Sequence, residues 1–119
     1  DERAHGIHAG EVETSVMLYL HPELVDMTRA EDFVPLSKLL EQQNEMLMPE
    51  GGAVGFGWQM QDINPKGACG NASLADAARG RIAVERAADR LNKLIAEIAA
   101  YPLSRIRSEP DFSATAKVE

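Results

Sequence analysis

An α/β fold is predicted by two segments of opposite periodicity and by a composition that suits them. Residues 53–63 set Val54, Phe56, Trp58, Met60 and Ile63 against Gly55, Gly57, Gln59 and Gln61 in near alternation, the period-two pattern of a half-buried strand. From about Leu74 to Ala100 the period lengthens, and Ala78, Ile82, Leu91, Leu94, Ile95 and Ile98 form one continuous helical stripe. The chain is 45% apolar but only 5% aromatic, which describes an Ala/Leu/Met-rich globular protein containing helix.

The first element is a short helix over Glu11 to Leu20. Val12, Val16, Met17, Leu18 and Leu20 recur near helical spacing, with Gly10 before them and Pro22 after. The free amides of its first turn fall beside residues 6–10, where an anion or a carboxylate can be held. Residues 21–34 carry few apolar anchors and read as a connecting loop. Leu36, Leu39, Leu40 and Met46 suggest a weak helix that ends before Pro49-Glu50-Gly51-Gly52.

After the strand over 53–63, Asn64-Pro65-Lys66-Gly67 supplies a turn, and residues 67–71 a short extended piece or loop. Ser73-Leu74-Ala75-Asp76 has the Ser-x-x-acid form of a helix start. The helix that follows would be roughly 40 Å long at ~1.5 Å per residue, too long for a core built from this chain alone. Much of its apolar face is therefore expected to cover a sheet contributed elsewhere. Residues 1–101 form the domain portion, and 102–119, which lack any period, a surface-draped or mobile tail.

Twelve basic against 19 acidic side chains give a net charge of -7, which disfavours nucleic acid and anionic lipid as partners. The single cysteine, Cys69, has no thiol partner within the chain and favours a reducing compartment. No apolar run approaches the ~20 residues of a membrane span, and the first residues lack signal-peptide organisation, so a cytoplasmic protein is expected. The sequence begins at Asp1 rather than Met, which suggests a terminus made by proteolysis, by maturation of a longer precursor or by choice of ends.

Chemistry concentrates in His8-Ala9-Gly10-Glu11-Val12-Glu13-Thr14-Ser15. A histidine just before a helix can donate a proton, accept one or ligate a metal, while Gly10 admits close backbone approach and Glu13 can ligate or orient. Taken alone, one His and two Glu at a helix start are more often a solvated cap than a site. Trp58 reads as core and Cys69 as an inert buried thiol. Arg79, Arg81, Arg86 and Arg90, interleaved with Asp76, Glu85 and Asp89, read as a salt-bridged solvated face.

The string His8-Ala9-Gly10-x-x-Glu13-Thr14-Ser15, with Met17-Leu18 and Pro22-Glu23-Leu24-Val25 after it, resembles the creatininase (creatinine amidohydrolase) family. Gly70-Asn71-Ala72-Ser73-Leu74-Ala75, with Gly80 five residues on, is similar to that family's Gly-Asp-Pro-x-x-Ala…Gly entry into its last long helix, though Asn71 and Ala72 replace the common Asp-Pro. The resemblance runs from His8 to about Tyr101 and implies the C-terminal half of a three-layer α/β/α fold. It also implies a hexamer-type assembly and a pair of divalent metals, zinc or manganese or iron, used to cleave non-peptide or cyclic amide C–N bonds.

By that resemblance His8 is the catalytic histidine that contacts substrate and carries a proton to the leaving nitrogen. Glu13 is a metal ligand or an orienting carboxylate. His5 stands where creatininase proper grips its substrate with a tryptophan and acidic residues, so it is either a substituted substrate contact or an exposed loop histidine, and creatinine itself is a doubtful substrate. The family's Glu-x-His and Asn-Gly-His strings are absent, and the chain has only His5, His8 and His21. The metals are then held mostly by an N-terminal partner chain of the same enzyme, acting on a small-molecule amide. The alternative is a non-catalytic binding or assembly module that uses the long helix face as its interface.

Overall fold

The computed structural model describes residues 2–110 and 112, so the end of the predicted tail lies outside the described residues. The chain divides into two compact units, Asp1–Ala87 and Ala88–Glu119. The first contains helices α1 (Glu2–His5), α2 (Glu11–Leu20), α3 (Leu36–Gln43) and α4 (Met60–Ile63), and strands β1 (Asp32–Phe33) and β2 (Gly70–Asn71). Helix α5 (Ala77–Ala100) begins in the first unit and ends in the second, which adds a 3-10 turn at Leu103–Arg105. No helix among the described residues is long and apolar enough to cross a membrane.

This is an α/β arrangement with a minimal sheet. β1 and β2 pair antiparallel, Asp32 with Asn71 and Phe33 with Gly70. An isolated antiparallel bridge between His8 and Cys69 extends the pairing toward the N-terminus. The buried apolar residues are Ile63, Ala68, Cys69 and Ala72, with Ser15, Ser37 and Asn64 buried among them. Asn64 links the turn to the loop before α3, donating from Nδ2 to Val34 O at 3.0 Å while its Oδ1 accepts from Lys66 N at 2.9 Å.

Helix α2 has the predicted bounds. Glu11 and Glu13 lie in its first turn, where negative charge suits the dipole, and Pro22 stops it. Its buried residue is the small polar Ser15, while Val12 and Leu20 remain exposed. The reason is the close approach of α5: a Cβ on Gly80 would meet the Ser15 carbonyl. Ser15 Oγ donates to Glu11 O at 2.6 Å and accepts from Asp76 N at 2.9 Å, joining the start of α5 to α2.

The strand predicted over 53–63 does not form. Its one ladder contact is a bridge from Val54 to Leu47; Gly51, Gly52, Gly55 and Gly57 weaken extended pairing, and no neighbouring strand among the described residues completes a ladder. The last residues turn helical instead, as Asp62 Oδ2 accepts from Gln59 N at 2.8 Å at the start of α4. The alternation nevertheless leaves Trp58 half-buried, its Nε1 donating to Pro49 O at 3.2 Å.

The long helix starts later than Ser73 predicts. Ser73 spends its hydroxyl on Asn71 inside a 3-10 turn at Ala72–Leu74. Asp76 is the true cap, its Oδ1 accepting from Ala78 N at 2.8 Å. The loop expected over 21–34 is also more ordered, with 3-10 turns at Pro22–Leu24 and Met27–Arg29 before β1.

Candidate functional site

The His8 segment is positioned by backbone pairing on one side and by a helix start on the other. Ile7 N donates to Cys69 O at 3.1 Å and Cys69 N donates to His8 O at 2.7 Å. Cys69 is fully buried beneath this pairing, and burial pushes its thiol above the ordinary range. Ala9 then takes φ +55°, a left-handed conformation that costs a residue with a Cβ, and Gly10 opens α2.

Glu13 closes this turn from within the helix. Its Oε2 accepts from Ala9 N at 2.8 Å, and its Oε1 lies 3.4 Å from His8 Nδ1. The carboxylate thus holds the strained residue and the imidazole together. With Nδ1–H directed at Glu13, Nε2 is the nitrogen left for a reacting group; this tautomer follows from the partner. Both side chains are more than half exposed, so the pair opens to solvent.

The positive end of α2 is already occupied. Glu2 Oε1 accepts from Val12 N at 3.2 Å. A Cβ on Gly6, Gly10 or Gly70 would come within 2.2–2.7 Å of that side chain, so three glycines make room for it. The expectation of a carboxylate beside residues 6–10 is met by the chain's own. Glu11 turns away from His8 and pairs with Arg79, which also bonds Leu74 O and lies 3.6 Å from Asp76. Arg81 pairs with Glu85 at 2.8 Å, as expected of a salt-bridged face.

His5 is neither in a loop nor exposed. It ends α1 with its side chain 10% exposed, Nδ1 at 3.0 Å from Ser37 Oγ and Nε2 at 3.3 Å from Glu41 on α3. The structure therefore brings His8 and Glu13 together and commits both nitrogens of His5 to α3. His21 faces Glu23 at 3.1 Å. Sequence reasoning missed the partners of His5, which stand 32 and 36 residues away, and the capping role of Glu2.

A cleft of about 790 Å³ adjoins the segment, lined by Ala9, Glu13, Thr14, Met17, Arg29 and Lys66 among others, though not by His8. Lys66 pairs with Glu31 on its wall. The Asp26 carboxyl in the same cleft is held below its ordinary value by the hydroxyl and backbone N–H of Thr28. Trp58 is not among the lining residues. Among the described residues no group of three or more His, Cys, Asp or Glu is placed to hold a metal ion. A protein metal site ordinarily draws on at least three such ligands.

The family model for creatininase, creatinine amidohydrolase, matches residues 1–95. Among solved structures, the chain is similar to a Bacteroides fragilis NCTC 9343 protein named "Putative creatinine amidohydrolase", with 27% identity and a TM-score of 0.62. The match covers 83% of this chain and 37% of that one, so the chain spans little more than a third of the length of that relative. No curated protein matches.

Proposed function

Because this chain belongs to the creatininase family, we propose that it is one part of a metal-dependent amidohydrolase that cleaves a non-peptide or cyclic amide C–N bond, with His8 as its proton carrier. The observation that carries this reading is the Glu13 carboxylate, which bonds Ala9 N and faces His8 Nδ1 at once. An amide nitrogen is a poor leaving group until it is protonated, so hydrolysis needs a positioned group that can deliver a proton. An imidazole anchored at Nδ1 presents Nε2 for that purpose, and the pairing of residues 7 and 8 with Cys69 fixes where the ring is carried.

Metal dependence enters from the family, because the described residues do not by themselves fit a metal centre. Zinc, manganese or iron would be held by the remainder of a three-layer α/β/α domain, in a higher oligomer, with His8 and Glu13 completing the site. In this geometry Glu13 serves His8 as a positioning residue, since its two oxygens are directed at Ala9 N and the imidazole.

The test is turnover of cyclic amides, creatinine among them, by the chain assembled with the rest of its domain and loaded with zinc or manganese. His8→Ala should lower kcat by about 10²–10⁴-fold while the metal content stays constant. Unchanged turnover in that variant overturns the assignment and leaves the assembly-module reading in its place.

A further inference from the structure

We propose that the cleft beside the His8 segment takes an amide substrate that carries a single carboxylate on an apolar arm, with Arg29 as the residue that grips the carboxylate. That the ligand is an amide rests on the amidohydrolase reading; that it carries a carboxylate rests on the cleft itself.

Every polar side chain on the cleft wall except Arg29 already has a partner. Glu13 accepts from Ala9 N and faces His8 Nδ1, while Thr14 Oγ1 donates to Ala9 O at 3.2 Å. Asp26 Oδ1 accepts from Thr28 N at 3.0 Å and from Thr28 Oγ1 at 2.6 Å, and Glu31 pairs with Lys66. The exposed Arg29 guanidinium makes no hydrogen bond or ion pair among the described residues. The Thr28 hydroxyl and backbone N–H are the chief influences holding the Asp26 carboxyl down, and Arg29 is the last of them. Five donors in a rigid fork are therefore left for a ligand.

The backbone sets Arg29 and the His8 segment on one frame. Arg29 ends the 3-10 turn Met27–Arg29, and two residues on the Glu31 carbonyl accepts from Ala72 N at 3.0 Å. β1 and β2 pair beside this bond, and Cys69, next to β2, pairs with His8. Ala9 and Glu13 line the same cleft as Arg29, which is of the size that small-molecule sites ordinarily have.

The lining also selects among anions. Three carboxylates and two cations line the cleft, on a chain of net charge -7. A dianionic phosphate meets that repulsion doubly, whereas a carboxylate matches the planar guanidinium with one charge. Met17, Leu24, Val25, Met27 and Phe33 give the wall apolar surface for the arm that bears it.

The test measures, by calorimetry, binding of 3-phenylpropionate, its neutral counterpart 3-phenylpropionamide and phenyl phosphate to the chain assembled with the rest of its domain and loaded with metal. 3-Phenylpropionate should bind about tenfold more tightly than the amide, or better. Arg29→Gln should remove that preference and Arg29→Lys should retain part of it; the side chain is exposed and unbonded, so both variants should fold. Equal binding of acid and amide, no binding of either, or tighter binding of phenyl phosphate overturns the proposal. So does a preference that survives in Arg29→Gln, which would assign the anion to the metals. His8→Ala should leave the preference intact. An Arg29-dependent preference in a protein that hydrolyses no amide sinks the amidohydrolase reading and leaves Arg29 as a carboxylate site, and amide turnover without that preference does the reverse.

Discussion

Gly80 and Ser15 meet through their backbones: a Cβ on Gly80 would lie 1.9 Å from the Ser15 carbonyl oxygen and 2.4 Å from its carbonyl carbon. The Ser15 hydroxyl accepts from Asp76 N at 2.9 Å one turn earlier, so the start of α5 is fixed to α2 by a contact and a hydrogen bond together. Because α2 follows directly on the His8 segment, this contact bears on the site.

Replacing glycine by alanine inside an open helix ordinarily stabilises by about 1 kcal/mol. Here the added methyl meets backbone that cannot rotate away, so Gly80→Ala should destabilise the fold by ~1–3 kcal/mol. A denaturant midpoint equal to or above that of the parent would show that α5 does not pack on α2 at this point.

Ala9 supplies a second test through its φ of +55°. A β-branched side chain is penalised there more than alanine, so Ala9→Val should lose roughly 1–3 kcal/mol. Ala9→Gly should be near neutral, because relief of strain offsets the added freedom of the unfolded chain. Equal midpoints for the valine and glycine variants would contradict the left-handed turn.

Glu13→Gln separates orientation from metal ligation. The glutamine carbonyl can still accept from Ala9 N, but its amide would donate toward His8 Nδ1 and shift the ring proton to Nε2. In the assembled enzyme, kcat should fall by ~10²-fold or more with the metal content preserved. A parallel fall in bound metal would make Glu13 a ligand instead.

Cys69 gives a stability effect at high pH. Burial raises its thiol in the folded chain above the ordinary value of 9.0. As pH rises past that value, the unfolded chain releases the proton before the folded one does. The stabilisation is therefore complete below about pH 9 and is lost as pH climbs toward the folded value. Between pH 8 and 10 the parent's denaturation midpoint should fall more steeply than that of Cys69→Ala, and parallel curves would count against the burial argument.

The sequence was most legible where punctuation is local. Gly10 and Pro22 bracket α2, and Pro102 follows the end of α5, so both boundaries agree with expectation. It misled where a competing local bond won, as when Asn71 drew off the Ser73 hydroxyl and left Asp76 to cap α5. Residues 53–63 kept the alternation of a strand, but strand structure depends on a pairing neighbour that a one-dimensional pattern does not report. At the site, His8 and Glu13 were readable because five residues separate them, whereas His5 meets Ser37 and Glu41 only through the packing of α1 on α3.

Glu2 carries a consequence for what the start of α2 can attract. The partial positive charge at the start of α2 would ordinarily draw an anion, but the protein's own carboxylate bonds Val12 N there, among glycines that leave little space beside it. With that attraction satisfied internally, and with a net charge of -7 on the chain, an anionic ligand gains nothing from α2. A neutral or cationic group meets no such competition at the start of α2, and any attraction for a negative group has to arise away from it.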